Sequence, residues 1–286
     1  MNIQELDLMN TIKKCKYTNQ RQLAEASGYS LGTVNASVNE LMKNGYIDRE
    51  MKLMQKAVEL YEANRPEQAV ILAAGPGMRM IPINTEVSKG MLEVKGEALV
   101  ERLIRQLKEV HIDKITLVVG FMKEQYDYLI DEYGVELVYN REYANKNNLY
   151  SLSLVKERLS NAYIMPCDIW CEKNPFSEEE LYSWYMVNDK LEEESTVRVN
   201  RKKELKLTRE EEKGNHMVGI AYVNAETAPK LAERLATCSS HRKYEHSFWE
   251  DAAMENGKMM FLPKEVSEDD VVEINTLEEL RNLDEN

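Results

Sequence analysis

Cysteine is scarce in this chain. The four present, Cys15, Cys167, Cys171 and Cys238, are scattered over 286 residues. That excludes a disulfide framework and suits a reduced, cytoplasmic protein. Long apolar runs are also missing. The longest, such as Ile115 to Met122, fall far short of the ~20 residues that cross a bilayer, so no membrane partner is expected. The start, MNIQELDL, lacks the basic residues and apolar core of a signal peptide. Positive charge is in deficit, 37 Lys and Arg against 50 Asp and Glu, for a net charge of −13. Such a balance disfavours non-specific coating of nucleic acid or an anionic membrane. What is present, 43% hydrophobic and 30% charged residues, suits a soluble globular protein. At ~150 residues per domain there is room for one large domain or two smaller ones.

Two segments differ in character, 1–65 and 66–286. The first holds nine Lys/Arg against eight Asp/Glu, so the acidity belongs to the second. Leu6, Met9 and Ile12 repeat at helical spacing. Asn19 can cap a short helix that Gly28 ends, and Ser30 can cap another with an apolar stripe of Val34, Val38 and Leu41. Gly45-Tyr46-Ile47 closes it. Helix, short helix, glycine turn, helix is the helix-turn-helix pattern. With ELMKNGYI at its end, the segment resembles the winged helix-turn-helix domains of bacterial regulators. Residues 30–42 offer Asn35 and Asn39 but no Arg or Lys before Lys43, and Arg21 lies on the preceding helix. DNA contact through residues 1–65 and a packing or dimerisation role both stay open. Met51 to Asn64 reads as helix or hinge, and Arg65-Pro66 breaks it.

The second segment begins with Ala69–Ala74, a short apolar run expected of a strand buried on both faces. A helix over 98–110, a strand over 114–120, a helix over 123–133 and a strand over 135–139 follow. The alternation predicts an α/β domain with a mostly parallel sheet, whose ligands bind beyond the carboxyl ends of the strands. Residues 189–213 are highly charged and read as exposed strands and loops.

Gly75-Pro76-Gly77-Met78-Arg79 stands at the carboxyl end of the first strand. Glycines there let backbone N–H groups approach an anion. The dinucleotide fingerprint needs glycine at position 80, where Met80 stands, and no Gly-Lys-Ser/Thr triplet of a P-loop follows Gly77. LAAGPGMRMIPINTEVSKG instead resembles the signature of the nucleotidyltransferases that activate sugar and alcohol phosphates. Gly75, Gly77, Arg79, Pro82 and Lys89 match its spaced elements. Within that superfamily the chain resembles the bacterial phosphocholine cytidylyltransferases. VVGFMKEQYDYL (118–129), NREYANKNNLYSLSLVKERLSNAYIM (140–165), SFWEDAAMENG (247–257) and VVEINTLEEL carry the likeness. The implied fold is a Rossmann-like, mostly parallel α/β nucleotidyltransferase domain after a small helical winged helix-turn-helix domain.

The implied reaction transfers CMP from CTP to phosphocholine. Negative charge then crowds one site, and catalysis depends on positioning and neutralisation. The resemblance assigns Leu72, Ala73, Ala74, Gly75, Gly77, Arg79, Lys89 and Gly120 to the nucleotide, with Arg79 and Lys89 catalytic. It assigns Asn148, Tyr150, Ser151 and Trp249 to the acceptor. It implies Mg²⁺ on Asp168, at a strand end, with Glu250 or its neighbour Asp251 as the second acid, since Pro166 stands where the family often has an Asp. A quaternary ammonium calls for aromatic faces and carboxylates, with Tyr150, Trp170, Tyr182, Trp184, Tyr185 and Trp249 as candidates.

The chain departs from the family at Met78, Asn84 and Ser88, and at Asn275, where an Asp is common. None of these removes a charged catalytic group, so they bear more on the acceptor than on the reaction type. The rival acceptors are phosphoethanolamine, 2-aminoethylphosphonate and a sugar 1-phosphate. A rival of another class is a DNA-binding regulator that senses a metabolite. Cys167 with Cys171 and His241 with His246 make a poor zinc set, because no CxxC is present. Oligomeric state stays open between monomer and homodimer.

Overall fold

Side chains that satisfy their own helix ends shape the first 65 residues in the computed structural model, which describes residues 1–77, 86–193, 195–209, 212–267 and 270–285. Helices α1 (Ile3–Lys14), α2 (Gln20–Ser27), α3 (Leu31–Lys43) and α4 (Gln55–Ala63) follow one another. Asn2 and Glu5 close a capping box on α1. Asn19 Oδ1 accepts from the backbone N–H groups of Arg21 and Gln22, and Ser30 Oγ accepts from Thr33 N. Gly28 ends α2 in the left-handed region, at φ 71°. An antiparallel bridge from Ile47 to Leu53 makes a small wing, folded around Asp48 Oδ1, which accepts from Glu50 N and Lys52 N.

Contacts divide the chain into two compact units, Met1–Arg65 with Glu179–Tyr182, and Pro66–Glu178 with Ser183–Asn286. The four-residue piece of the first unit comes from deep within the second stretch of sequence. Leu181 joins the buried cluster of Leu8, Met9, Leu23, Val34, Val38 and Leu41. Asp7 accepts from both Tyr29 OH at 2.6 Å and Tyr182 OH at 2.9 Å. Helical period alone carries no trace of this return.

In the second unit the strands are β1 (Gln68–Ala73), β2 (Glu93–Val94), β3 (Glu97–Ala98), β4 (Lys114–Val119), β5 (Glu136–Tyr139), β6 (Ala162–Pro166), β7 (Ile169–Cys171) and β8 (Trp184–Glu192). They continue as β9 (Val197–Val199), β10 (Leu205–Leu207), β11 (Gly214–Val223), β12 (Met254–Glu255), β13 (Lys258–Met259), β14 (Leu262–Val266) and β15 (Val271–Glu273). The helices are α5 (Leu99–Glu109), α6 (Tyr128–Tyr133), α7 (Asn148–Ser153), α8 (Ala228–Ser239), α9 (Glu250–Ala253) and α10 (Leu277–Glu285).

The main sheet runs β14-β8-β11-β6-β1-β4-β5, and only β11 is antiparallel to its neighbours. The apolar run Ala69–Ala73 is buried because β1 lies between β4 and β6, parallel to both. Helix α5 buries Leu99, Val100, Leu103, Ile104 and Leu107, a stripe at helical spacing. The expected helix over 123–133 is instead a 3₁₀ turn, Lys123–Tyr126, followed by α6. Within 189–213 the chain forms the end of β8 and the short strands β9 and β10, which pair with each other. Among the described residues no helix is long and apolar enough to cross a membrane.

Candidate active site

The parallel order places the ends of β1, β4 and β6 side by side, and the signature residues lie there. Leu72, Ala73 and Ala74 are buried, and Gly75 opens to solvent. Gly120 follows β4 where a side chain has no room. A Cβ there would lie 2.7 Å from Ala74 O and 2.6 Å from Tyr143 Cβ. Phe121 N donates to Ala74 O, which fastens the two strand ends together. Gly77 lies against Lys89, whose Cβ would be 3.4 Å from a side chain at that position. Arg79, with Met78, Pro82 and Asn84, lies outside the described residues.

Lys89 begins a single 3₁₀ turn, Lys89–Met91. Gln125 holds its approach, accepting from Ser88 N and donating to Glu86 O, each at 2.8 Å. Gly90 lets the turn press inward, since a Cβ there would sit 2.9 Å from Tyr126 OH and 3.1 Å from Cys167 Cβ. The result aims Lys89 Nζ at two oxygens. It pairs with Asp168 Oδ2 and donates to Asn275 Oδ1 at 2.9 Å. Asp168 is carried just beyond β6, where Cys167 N donates to Leu72 O and Ile274 N donates to Asp168 O. Its second oxygen, Oδ1, is buried and has no hydrogen-bond partner among the described residues. Burial and the Asp168 charge push the neighbouring Cys167 thiol up to about 12, so it stays protonated.

Glu273 stands in register with Ile169 on the antiparallel pair of β15 and β7. Burial, then the charge of Asp168, raises its carboxyl above the usual range, while Lys89 and a hydrogen bond from Asn275 oppose this. His216 connects it outward, with Nδ1 2.9 Å from Glu192 Oε2 and Nε2 3.8 Å from Glu273 Oε2. The second acid that the resemblance implies is Glu250 or Asp251, whereas Glu273 is a further carboxyl near Asp168. Glu273 and Asn275 were discoverable: V-V-E-I-N-T alternates, which puts both on one face of an extended segment. His216, Glu192 and Gln125 carry no comparable local signal.

Glu250 starts α9 and turns its carboxyl inward. Tyr185 OH donates to Oε1 at 2.8 Å, and Oε2 has no partner among the described residues. Burial pushes this carboxyl up to about 7, with the charges of Asp251 and Glu273 adding to it. Asp251 is exposed.

The Asn147–Leu152 stretch docks this helix. Asn147 N and Nδ2 donate to Glu245 O and His246 O, and Asn148 Oδ1 accepts from Trp249 N at 2.8 Å. Ser151 Oγ accepts from Asn140 Nδ2 at 3.0 Å in the core. Trp249 is buried, with ring centroids 5.7 Å from Tyr185 and 5.9 Å from Phe261. Asn148, Ser151 and Trp249, which the resemblance assigns to the acceptor, make these contacts within the framework. Tyr150 is half-buried under the Lys146 ammonium. The other aromatic candidates disperse: Arg102 stacks on Trp170, Lys264 covers Trp184, and Tyr182 belongs to the first unit.

Among the described residues no three His, Cys, Asp or Glu side chains lie close enough together to hold a metal ion. The Asp168 carboxylate and the Asn275 amide oxygen nevertheless fit a hard cation. Mg²⁺ takes oxygen donors, keeps several waters and commonly needs only one or two protein ligands beside substrate phosphates.

Residues 69–243 match the family described as MobA-like NTP transferase domain, and residues 1–48 match the winged helix-turn-helix DNA-binding family. The choline-phosphate cytidylyltransferase of Streptococcus pneumoniae is 32% identical over 222 residues, covering 76% of this chain and 97% of that relative. The 2-aminoethylphosphonate cytidylyltransferase of Lancefieldella rimae is 29% identical over 190 residues, covering 64% of this chain and 77% of that relative. The solved structure of the CTP:phosphocholine cytidylyltransferase from Streptococcus pneumoniae superposes with a TM-score of 0.70 at 30% identity, over 77% of this chain and 98% of that one. On these matches the chain belongs to the MobA-like NTP transferase family, among its choline-phosphate cytidylyltransferases, and is a nucleotidyltransferase that carries a winged helix-turn-helix segment ahead of its catalytic domain.

Proposed function

We propose that the chain joins CTP and phosphocholine to give CDP-choline and pyrophosphate, using Mg²⁺, in the cytoplasm. The observation that carries this reading is the convergence of Lys89, Asp168 and Asn275 beside the glycine loop at the carboxyl ends of β1 and β6. In the reaction an acceptor phosphate oxygen forms a bond to the α-phosphorus. The bond from that phosphorus to the oxygen bridging the β-phosphate breaks, and its electron pair leaves with pyrophosphate. The N–H groups around Gly75 and Gly77 hold the triphosphate, and Lys89 offers a mobile positive charge to the crowded phosphates. Arg79 is assigned to the same phosphates on its place in the signature. Asp168 and Asn275 would hold the Mg²⁺, which supplies charge neutralisation between the phosphates when bound. Tyr185, Glu250 and Trp249 form a packed wall that Asn148 keeps in register with α7.

A primary-ammonium acceptor, phosphoethanolamine or 2-aminoethylphosphonate, is the second reading of the same site. One observation favours it: Tyr150 and Trp184 are each already covered by a lysine ammonium and Trp170 by the Arg102 guanidinium, so these three aromatic faces are occupied by the chain's own cations. Pyrophosphate release, measured with four nucleoside triphosphates against phosphocholine, phosphoethanolamine, 2-aminoethylphosphonate and glucose 1-phosphate, decides. Turnover confined to CTP and phosphocholine is expected. Turnover with another acceptor keeps the chemistry and removes choline, and silence from folded protein removes the enzyme reading.

For residues 1–65 the reading is contact with DNA through the exposed face of α3. There Asn39 Nδ2 donates to Asn35 Oδ1, and Asn35 Nδ2 donates to Gln20 Oε1. Amides of this kind can read adenine edges, and the low positive charge predicts a shallow dependence of affinity on salt. Fluorescence anisotropy with the protein's own upstream DNA tests this. No saturable binding at low salt would leave the unit a packing module.

A further inference from the structure

A cation already stands at the oxygen pair that the reaction needs for a divalent one. Lys89 Nζ holds both Asp168 Oδ2 and Asn275 Oδ1, and the side chains of Lys89 and Asp168 are each only 13% exposed. The carbonyl oxygen of the Asn275 amide is the atom that faces the cation, since it accepts from Lys89 Nζ. The lysine stem runs along Gly77, within 3.4–3.6 Å of where a side chain there would begin. Rotation about that flexible stem carries the ammonium from the Asp168 oxygen toward the glycine loop, where a triphosphate would lie.

We propose that Lys89 is the resident counter-ion of the Asp168–Asn275 oxygen pair, that it competes with the divalent cation for those oxygens, and that an arriving triphosphate releases it by offering another anionic partner. An ammonium and a divalent ion on the same two oxygens repel each other at close range in a shielded site. The empty enzyme therefore holds free metal weakly, and nucleotide and metal strengthen one another's binding by the same factor. The inference rests on the nucleotidyltransferase reading but concerns the protein before any turnover.

The test is Mn²⁺ binding to nucleotide-free, full-length protein, followed by the electron paramagnetic resonance signal of free Mn²⁺. Lys89→Met and Lys89→Gln should each bind Mn²⁺ about tenfold more tightly than wild type. Adding Asn275→Ala to Lys89→Met should remove that gain. Lys230→Met, at an exposed lysine paired with Glu255, should stay within about twofold, because screened charge at distance contributes little. Circular dichroism establishes that each variant is folded. Unchanged or weaker affinity in both Lys89 variants, or an equal gain in Lys230→Met, overturns the competition. Wild-type turnover reports separately on the underlying reading. Active wild type with unchanged Mn²⁺ affinity in the Lys89 variants removes the competition alone, whereas folded wild type that neither turns over nor binds CTP removes the reading on which it rests.

Discussion

The two units are held by bonds of different reach. In residues 1–65 the polar bonds at the helix starts span two or three residues, as when Asn19 accepts from Arg21 N and Gln22 N. Around Lys89 the decisive bonds span 79 residues to Asp168 and 186 to Asn275. Local caps set helix ends before any tertiary packing exists, whereas the oxygen pair has no meaning until β1, β6 and β15 are assembled. A helical unit of this kind tolerates loss of one cap. A site built from three distant segments loses its function with any one of them.

The largest expected effect follows at the long-range site. Lys89→Ala or Asp168→Ala should lower kcat by about a thousandfold, within the range seen when a charge-stabilising group is removed. Rapid-quench assays of pyrophosphate release would measure it. A loss below about tenfold would break the comparison, since the distant bonds would then hold the fold and not the reaction.

This contrast also explains what could be read from sequence. Asn19, Gly28 and Ser30 were legible as helix ends because capping is a local property, and β1 was legible because burial on both faces leaves an unbroken apolar run. Lys89 and Asp168 were legible through spaced motifs. Lys89's bond to Asn275 was not, because only the turn of β15 against β7 brings them together. Asn148, Ser151 and Trp249 stood in matched motifs; Asn148 bonds Trp249 at the start of α9 and Ser151 bonds Asn140, and a motif alone does not distinguish such contacts from ligand contact.

One element of the helical unit runs against the comparison. Leu181 enters its core from the distant 179–182 piece. Leu181→Ala should destabilise that unit by about 2–4 kcal/mol, the usual range for a buried leucine truncation. Amide hydrogen exchange at Met9, Leu23 and Val38 would detect it. Unchanged protection would show the unit to be local throughout.

A smaller effect is expected at Glu250, and its sign depends on pH. Burial raises its folded carboxyl to about 7, above the usual carboxylate range. The folded state therefore holds the proton more tightly than the unfolded chain does. The stabilisation is fully present below about pH 4.5 and is lost as pH rises through about 7. Glu250→Gln removes the ionisation. Measured by denaturant unfolding in chelator, it should exceed wild type by roughly 2 kcal/mol at pH 8 and match it near pH 5. An equal difference at both pH values would place the carboxyl in water and detach it from the buried wall of Tyr185.

The smallest effect uses a matched pair of asparagines, each accepting from backbone N–H. Asn19 does so within its own helix start, and Asn148 does so across 101 residues, from Trp249 N. Asn19→Ala should lower the stability of the helical unit by about 1 kcal/mol, a typical cap loss, and leave kcat unchanged. Asn148→Ala removes a bond of similar strength, about 1 kcal/mol. It also frees Trp249 N next to Glu250, so kcat or the acceptor KM should move as well. Equal stability losses with divergent kinetics would show that reach, and not bond strength, separates the two units. If both variants keep wild-type kinetics, the α7–α9 junction is scaffold, and the site is confined to the residues around Lys89.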